Sequence, residues 1–178
     1  MPKVYAIDGI TPVVHPSAFV HPSAVLIGDV IVGARAYIGP CACLRGDFGR
    51  IVVEEGANIQ DTCMLHGFPG KDTVVGAEAT IGHGAVIHAC RLEEFCLVGM
   101  GAIVLDGAVV SRYGFVGAGA VVSPGKTVGE AELWLGNPAR FVRKLNDREI
   151  EQLQYSAQHY IRLKDEYLRM AQGNAPDC

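Results

Sequence analysis

No stretch of this 178-residue sequence approaches the roughly 18 consecutive apolar residues that a membrane span requires. Basic residues form no run or block, and the net charge is −4. Nucleic acid and anionic membrane are therefore poor expectations as partners. The opening residues, MPKVYAIDGITPVV, lack the long apolar core of an export signal. Also missing is any CxxC pair or zinc-finger spacing among Cys41, Cys43, Cys63, Cys90, Cys96 and Cys178. Without an export signal these read as reduced, core-filling side chains of a cytoplasmic protein rather than a disulfide framework. Charged residues are sparse as well, at 19% against 49% hydrophobic. That balance excludes a disordered chain and suits one domain, alone or with an appendage.

What the sequence does have is a beat of six. VHPSAFVHPSAV, from Val14 to Val25, is a near-perfect tandem, and its frame continues through Val14, Val20, Leu26, Val32, Ile38 and Leu44. It jumps to Val53, Ile59 and Leu65, and again to Val75, Ile81 and Ile87. After shortening by one residue it runs from Leu92 at even steps to Val128. Glycine often follows, as at Gly33, Gly39, Gly76, Gly82, Gly99 and Gly117.

Such a period fits neither a helix nor a long strand. It fits a very short strand, a corner, and another very short strand, with three units closing a triangular coil of about 18 residues. The jumps follow Leu44 and Leu65, each the third unit of its coil. The expected fold is an all-β parallel β-helix of about six coils, spaced roughly 4.8 Å apart by strand pairing. The pattern resembles the hexapeptide-repeat proteins, and that resemblance implies a left-handed winding.

The beat ends near Val128, giving a β-helix domain over 1–133 and an exit loop over 134–145 that contains WLGNPARFV. A C-terminal α-helix over 146–172 follows, then a loose tail over 173–178. Asn146 and Glu149 suit a cap with its return partner. Ile150, Leu153, Ala157, Tyr160, Leu163 and Tyr167 give the helix one apolar face.

Stacking the coils gives the histidines a geometry. The position after the third-wall aliphatic residue reads Ile27, Arg45, His66, His88 and Leu105 in successive coils. His66 and His88 thus lie one strand spacing apart, close enough for two imidazoles to share a metal. His83 follows Ile81 on the second wall and points away from that pair. It completes a three-histidine site only if another subunit presents it, as a three-fold trimer of parallel prisms would. Three neutral histidines leave a position open for water, the composition of a catalytic zinc site. Arg45 lies one coil below His66 in its column, with Asp47 following in the first insertion, and Asp61 lies below His83 in its column, with Gln60 beside it.

LRGDFGRIVV, ANIQD, MLHG and IGHGAVIH together resemble the γ-class carbonic anhydrase family over roughly Val13 to Arg143. Similarity is greatest to the branch with the phenylacetate-degradation and carnitine-metabolism hexapeptide proteins. The resemblance implies that His66 and His88 bind Zn2+ from one subunit of a homotrimer and His83 from its neighbour. It makes Arg45 and Asp47 the family's intersubunit ion pair, and Gln60 the residue that orients metal-bound water beside Asp61. Tyr160 then matches a tyrosine lining the site. Fe2+ or Co2+ would suit the same ligands. The implied reaction is attack of zinc hydroxide on carbon dioxide to give bicarbonate. The chain departs from the archetype of the class at Phe48, where that archetype has glutamate. Its loop GFPGKDT is also short, with Asp72 as sole acid and no counterpart of the proton-shuttle glutamate. Weak turnover is the corresponding expectation.

Plainer readings stand beside these. His15 and His21 of the HPSA repeats read as structural, His159 as solvent-facing, and Cys90 as a corner residue. Tyr160 reads almost equally as helix core. Two rival functions remain: hydrolysis or transfer of acyl-CoA thioesters, and a non-catalytic trimeric scaffold stapled by its metal.

Overall fold

A computed structural model describes residues 2–171. Mostly two- and three-residue strands alternate with tight corners, and within the coils they pair in parallel with the strands of the neighbouring coils. On the second wall the strands are Phe19–Val20, Tyr37–Ile38, Asn58–Ile59, Thr80–Ile81, Leu97–Val98, Phe115–Val116 and Glu132–Leu135. They make a parallel β-solenoid of about seven turns, one more than the beat of aliphatic residues suggests. The extra turn is hidden at both ends. Lys3–Tyr5 pairs with Val25–Ile27 outside the six-residue frame, and Trp134 takes the next second-wall position, opposite Val116.

The beat produces the fold because every sixth side chain points inward. Leu26, Leu44, Leu65 and Ile87 stack on the third wall, Ile38, Ile59, Ile81 and Val98 on the second, all fully buried. Each such side chain contributes about 1.5–3 kcal/mol relative to exposure. Two residues before most aliphatic positions a small side chain fills the corner, and Ala24, Ala42, Cys63, Ala85, Cys90 and Cys96 are buried there. The described cysteines are all free thiols. Burial pushes Cys63 up to about 11 and Cys90 up to about 12. Those two are packing residues, not nucleophiles. The recurrent glycine has a steric cause: a Cβ at Gly99 would lie 2.5 Å from the Ala118 nitrogen of the next coil, and one at Gly82 2.8 Å from that of Met100.

The first jump in the frame is not a loop. Strand Cys43–Val53 runs unbroken around the corner from third wall to first, pairing Arg45 with Ile27 and Ile51 with Val30, and its surplus residues bulge between. The second jump is a tight turn in which Phe68 and Lys71 exchange backbone hydrogen bonds of 3.3 and 2.8 Å. The segment expected as an exit loop is instead a hairpin, with Arg140–Lys144 returning antiparallel to Glu132–Leu135. The two HPSA motifs are structural, since His15 and His21 bond Ser17 and Ser23 at 2.9 and 2.7 Å. Each serine oxygen then accepts a backbone N–H from the next coil, Arg35 or Cys41.

Helix Asp147–Ala171 starts at the expected cap. Asn146 Oδ1 accepts the Glu149 N–H at 3.0 Å and Glu149 returns to the Asn146 N–H at 2.9 Å. Arg143 grips the Glu149 carboxylate with two bonds of 2.8 Å. The helix lies along the second wall, against the strands from Phe19–Val20 to Thr80–Ile81. Its buried stripe is Leu153, Ala157, Ile161 and Lys164, so Ile161 and Lys164 take the place expected of Leu163. The phase shifts because 3.6 residues per turn carries the stripe forward beyond Tyr160. Tyr160 and Tyr167 join Tyr37 and Phe19 in an aromatic cluster with ring centroids 5.1–5.9 Å apart. No helix among the described residues is long and apolar enough to cross a membrane. The tail over 173–178 lies outside the described residues.

Candidate metal centre

The register puts His66 and His88 side by side at the ends of strands Met64–His66 and Val86–His88, with Arg45 one coil further along. Inward-pointing Leu65 and Ile87 anchor the backbone, so period two turns the next side chain outward. His66 Nδ1 and His88 Nε2 are 3.0 Å apart. Their remaining nitrogens face carboxylates: His66 Nε2 lies 3.0 Å from Asp47 Oδ1, and His88 Nδ1 lies 2.6 Å from Asp106 Oδ1. Arg45 donates to the other Asp47 oxygen at 2.6 Å. The row is therefore Arg45, Asp47, His66, His88, Asp106, with the Phe48 ring 5.9 Å from that of His66. Burial alone would raise the Asp47 carboxyl, but hydrogen bonds from Arg45 and His66 outweigh it and hold the group below the usual carboxylate range.

The hydrogen count of this row is informative. Three contacts link two carboxylates through two imidazoles, and each needs one hydrogen. Two neutral imidazoles supply only two. The row calls for one further positive charge, from a third proton or from a metal ion. The nitrogen pair suits the second, since two nitrogens about 2.0–2.1 Å from a tetrahedral ion stand roughly 3.3 Å apart. An imidazole held by a carboxylate on its far side is the usual surrounding of a metal ligand.

Gln60, Asp61, His83 and Tyr160 form a second group, on the second wall. His83 Nδ1 is 2.6 Å from Asp61 Oδ2, and both side chains are near half-exposed. Gln60 is buried and donates to Asn58 Oδ1 at 3.1 Å, while Asn58 donates to Thr80 at 2.9 Å. The Tyr160 ring lies tilted against that of Tyr37, with centroids 5.4 Å apart. Burial first, then the charge of Asp61, raises its phenol above the ordinary range. Gln60, Met100, Phe115 and Tyr160 line a groove of about 330 Å³ between wall and helix.

The structure thus divides the expected site residues in two. Arg45, Asp47, His66 and His88 meet on the third wall, whereas His83 does not join them within one chain. Among the described residues, no three His, Cys, Asp or Glu side chains are placed to hold a metal ion together. Arg45 and Asp47, expected to pair between subunits, are bonded within the chain. Asp106 escaped the sequence reading, although it directly follows Leu105 in the histidine column. Reading two residues beyond the aliphatic Val104, one past the column itself, would have found it. Asn58 and Thr80 had no comparable signal.

Residues 11–46 match the bacterial transferase hexapeptide family model. The chain is 51% identical over 156 residues to the carnitine operon protein CaiE of Escherichia coli K12, covering 88% of this chain and 80% of that one. A solved hexapeptide transferase family protein from Anaplasma phagocytophilum is 42% identical, covering 93% of this chain and 98% of that one, with a TM-score of 0.90. A Bacillus cereus structure classed provisionally as an acetyltransferase is 31% identical, covering 93% and 96%, with a TM-score of 0.92. The chain belongs to the hexapeptide-repeat transferase family that contains the CaiE proteins.

Proposed function

We propose that the chain is a zinc-dependent enzyme of the γ-carbonic anhydrase type that hydrates carbon dioxide to bicarbonate. Its centre would be built from His66 and His88 of one subunit and His83 of the next in a homotrimer. The observation that carries this is the third-wall row, in which two imidazoles face each other at 3.0 Å and lack one positive charge. Height supports the trimer. His83 follows Ile81 and His88 follows Ile87 in a single coil, so rotation about an axis parallel to the prism, without translation, can bring one to the other.

Zinc, when bound, would supply Lewis-acid activation of water near neutral pH. The chain's own residues do the rest. Asp61 engages Nδ1 of the half-exposed His83 at 2.6 Å, which leaves Nε2 as the nitrogen to offer a metal. Arg45 holds Asp47, and Asp47 holds His66. Phe48 beside His66, and Met100 and Tyr160 on the second wall, would offer apolar surface for a gas molecule, with buried Gln60 giving the second-wall groove a polar edge. The short loop after His66 carries Asp72 as its sole acid and no counterpart of the shuttle glutamate, so the outgoing proton would pass chiefly to buffer.

Stopped-flow carbon dioxide hydration on zinc-loaded protein tests this, with His88→Ala alongside. Activity in the parent and none in the variant is expected. No activity above buffer in protein with zinc bound would overturn the hydration reading. The likeness to the Bacillus protein and the groove beside the helix favour a second reading, acyl-CoA thioester hydrolysis or transfer, read by thiol release from the same preparation. Metal-dependent trimers inactive in both assays would leave the scaffold.

A further inference from the structure

We propose that Asp106 is a positioning residue for His88, setting which ring nitrogen that histidine presents. This rests on the metal-centre reading for its purpose, though not for its geometry. Asp106 Oδ1 lies 2.6 Å from His88 Nδ1, as short as any contact in the row. An ionised carboxylate accepts and cannot donate, so Nδ1 carries the hydrogen, and in the neutral ring Nε2 is then left as the acceptor. That Nε2 is the atom facing His66 Nδ1 at 3.0 Å. The tautomer of His88 is thus fixed from the side away from its partner.

The backbone places Asp106 for this task. Val104 points into the core, and Leu105 N–H donates to Val122 O at 3.1 Å, which holds the coil below His88 in register. The Gly107 N–H then donates to Ala89 O at 2.7 Å, closing the corner directly against the residue that follows His88. Asp106 O in turn accepts the Gly125 N–H at 2.9 Å. The carboxylate has no other polar side-chain partner among the described residues, and a corner needs no acid there: the equivalent position one coil earlier is Ala89.

Two variants separate positioning from packing. Asp106→Ala removes the acceptor, while Asp106→Asn keeps an acceptor oxygen without the charge. Imidazole ¹⁵N shifts of His88 in metal-free protein report the tautomer, and zinc affinity by chelator competition reports its consequence. The parent is expected to hold the Nδ1–H form. Asp106→Ala should lose that preference and about 10–100-fold in zinc affinity, with Asp106→Asn recovering part of both. Thermal unfolding would confirm that both variants fold. An unchanged His88 tautomer in Asp106→Ala, or zinc affinity within about two-fold of the parent, would overturn the assignment. If the parent itself binds no zinc, the metal-centre reading fails, and the ¹⁵N shifts still decide whether Asp106 orients the ring.

Discussion

The second and third walls of this prism are built from one repeat, yet they carry opposite halves of the candidate centre. On the third wall the residues that matter lie one above another, in successive coils, and strand pairing brings His88 to His66. On the second wall His83 sits at the height of His88 but faces elsewhere, with Asp61 its close partner. The difference teaches a rule for solenoids. Residues separated by a whole coil become neighbours, whereas residues one wall apart in the same coil become strangers. A site needing both kinds must recruit a second chain. The helix adds to the contrast, since it lies along the second wall.

The largest effect breaks both halves separately. His88→Ala and His83→Ala should each reduce bound zinc and hydration activity to background, although the two residues make no contact within a chain. Metal content after gel filtration checks this, and full zinc retention in His83→Ala would confine the centre to the third wall. Next, Leu65→Ala, behind His66 in the core, should cost about 2–5 kcal/mol of stability through the cavity it leaves. Half-exposed Val86 on the same wall provides the contrast, and Val86→Ala should shift a denaturant midpoint far less. On the second wall Gly99→Ala should cost about 1–3 kcal/mol, because the added methyl meets the backbone of the next coil. Smaller again, Asn146→Ala should cost about 1 kcal/mol by removing the helix cap. Hydrogen exchange would locate that loosening in the helix and leave the third wall unchanged.

The smallest effect concerns pH. Hydrogen bonds from Arg143, then from the Asn146 backbone, hold the exposed Glu149 carboxyl down at about 2, below its unfolded value of about 4.3. A depressed folded value means that the stabilisation is complete above the unfolded pKa and is lost as pH falls towards 2. The difference in melting temperature between the parent and Glu149→Gln should therefore be steady above about pH 5 and vanish near pH 2. A difference that grows on acidification would contradict the cap geometry.

Much of this was legible in the sequence because one side chain in six reports its own orientation. Once Leu44, Leu65 and Ile87 were stacked, the neighbours Arg45, His66 and His88 followed without further information. The seventh turn was not legible because Trp134 interrupts the aliphatic frame and Val4 lies outside it. The phase of the helix was misjudged where Lys164, a charged residue by composition, goes into the buried stripe beside Ile161. Asp106 was missed for a different reason. A carboxylate at a corner looks like any solvent-exposed turn residue until the ring it faces is known.

The central claim is that one centre takes two walls from two chains, and mixing tests it directly. His83→Ala protein lacks the second-wall half, and His88→Ala protein lacks the third-wall half. The two would be co-expressed, or unfolded and reassembled together in equal amounts, and zinc counted in the recovered trimers. Random assortment places an intact pair of halves at about one quarter of the interfaces. The account predicts zinc near that fraction of the parental content in the mixture, and background in each variant alone. A mixture as empty of zinc as its components, in trimers shown to contain both chains, would contradict it.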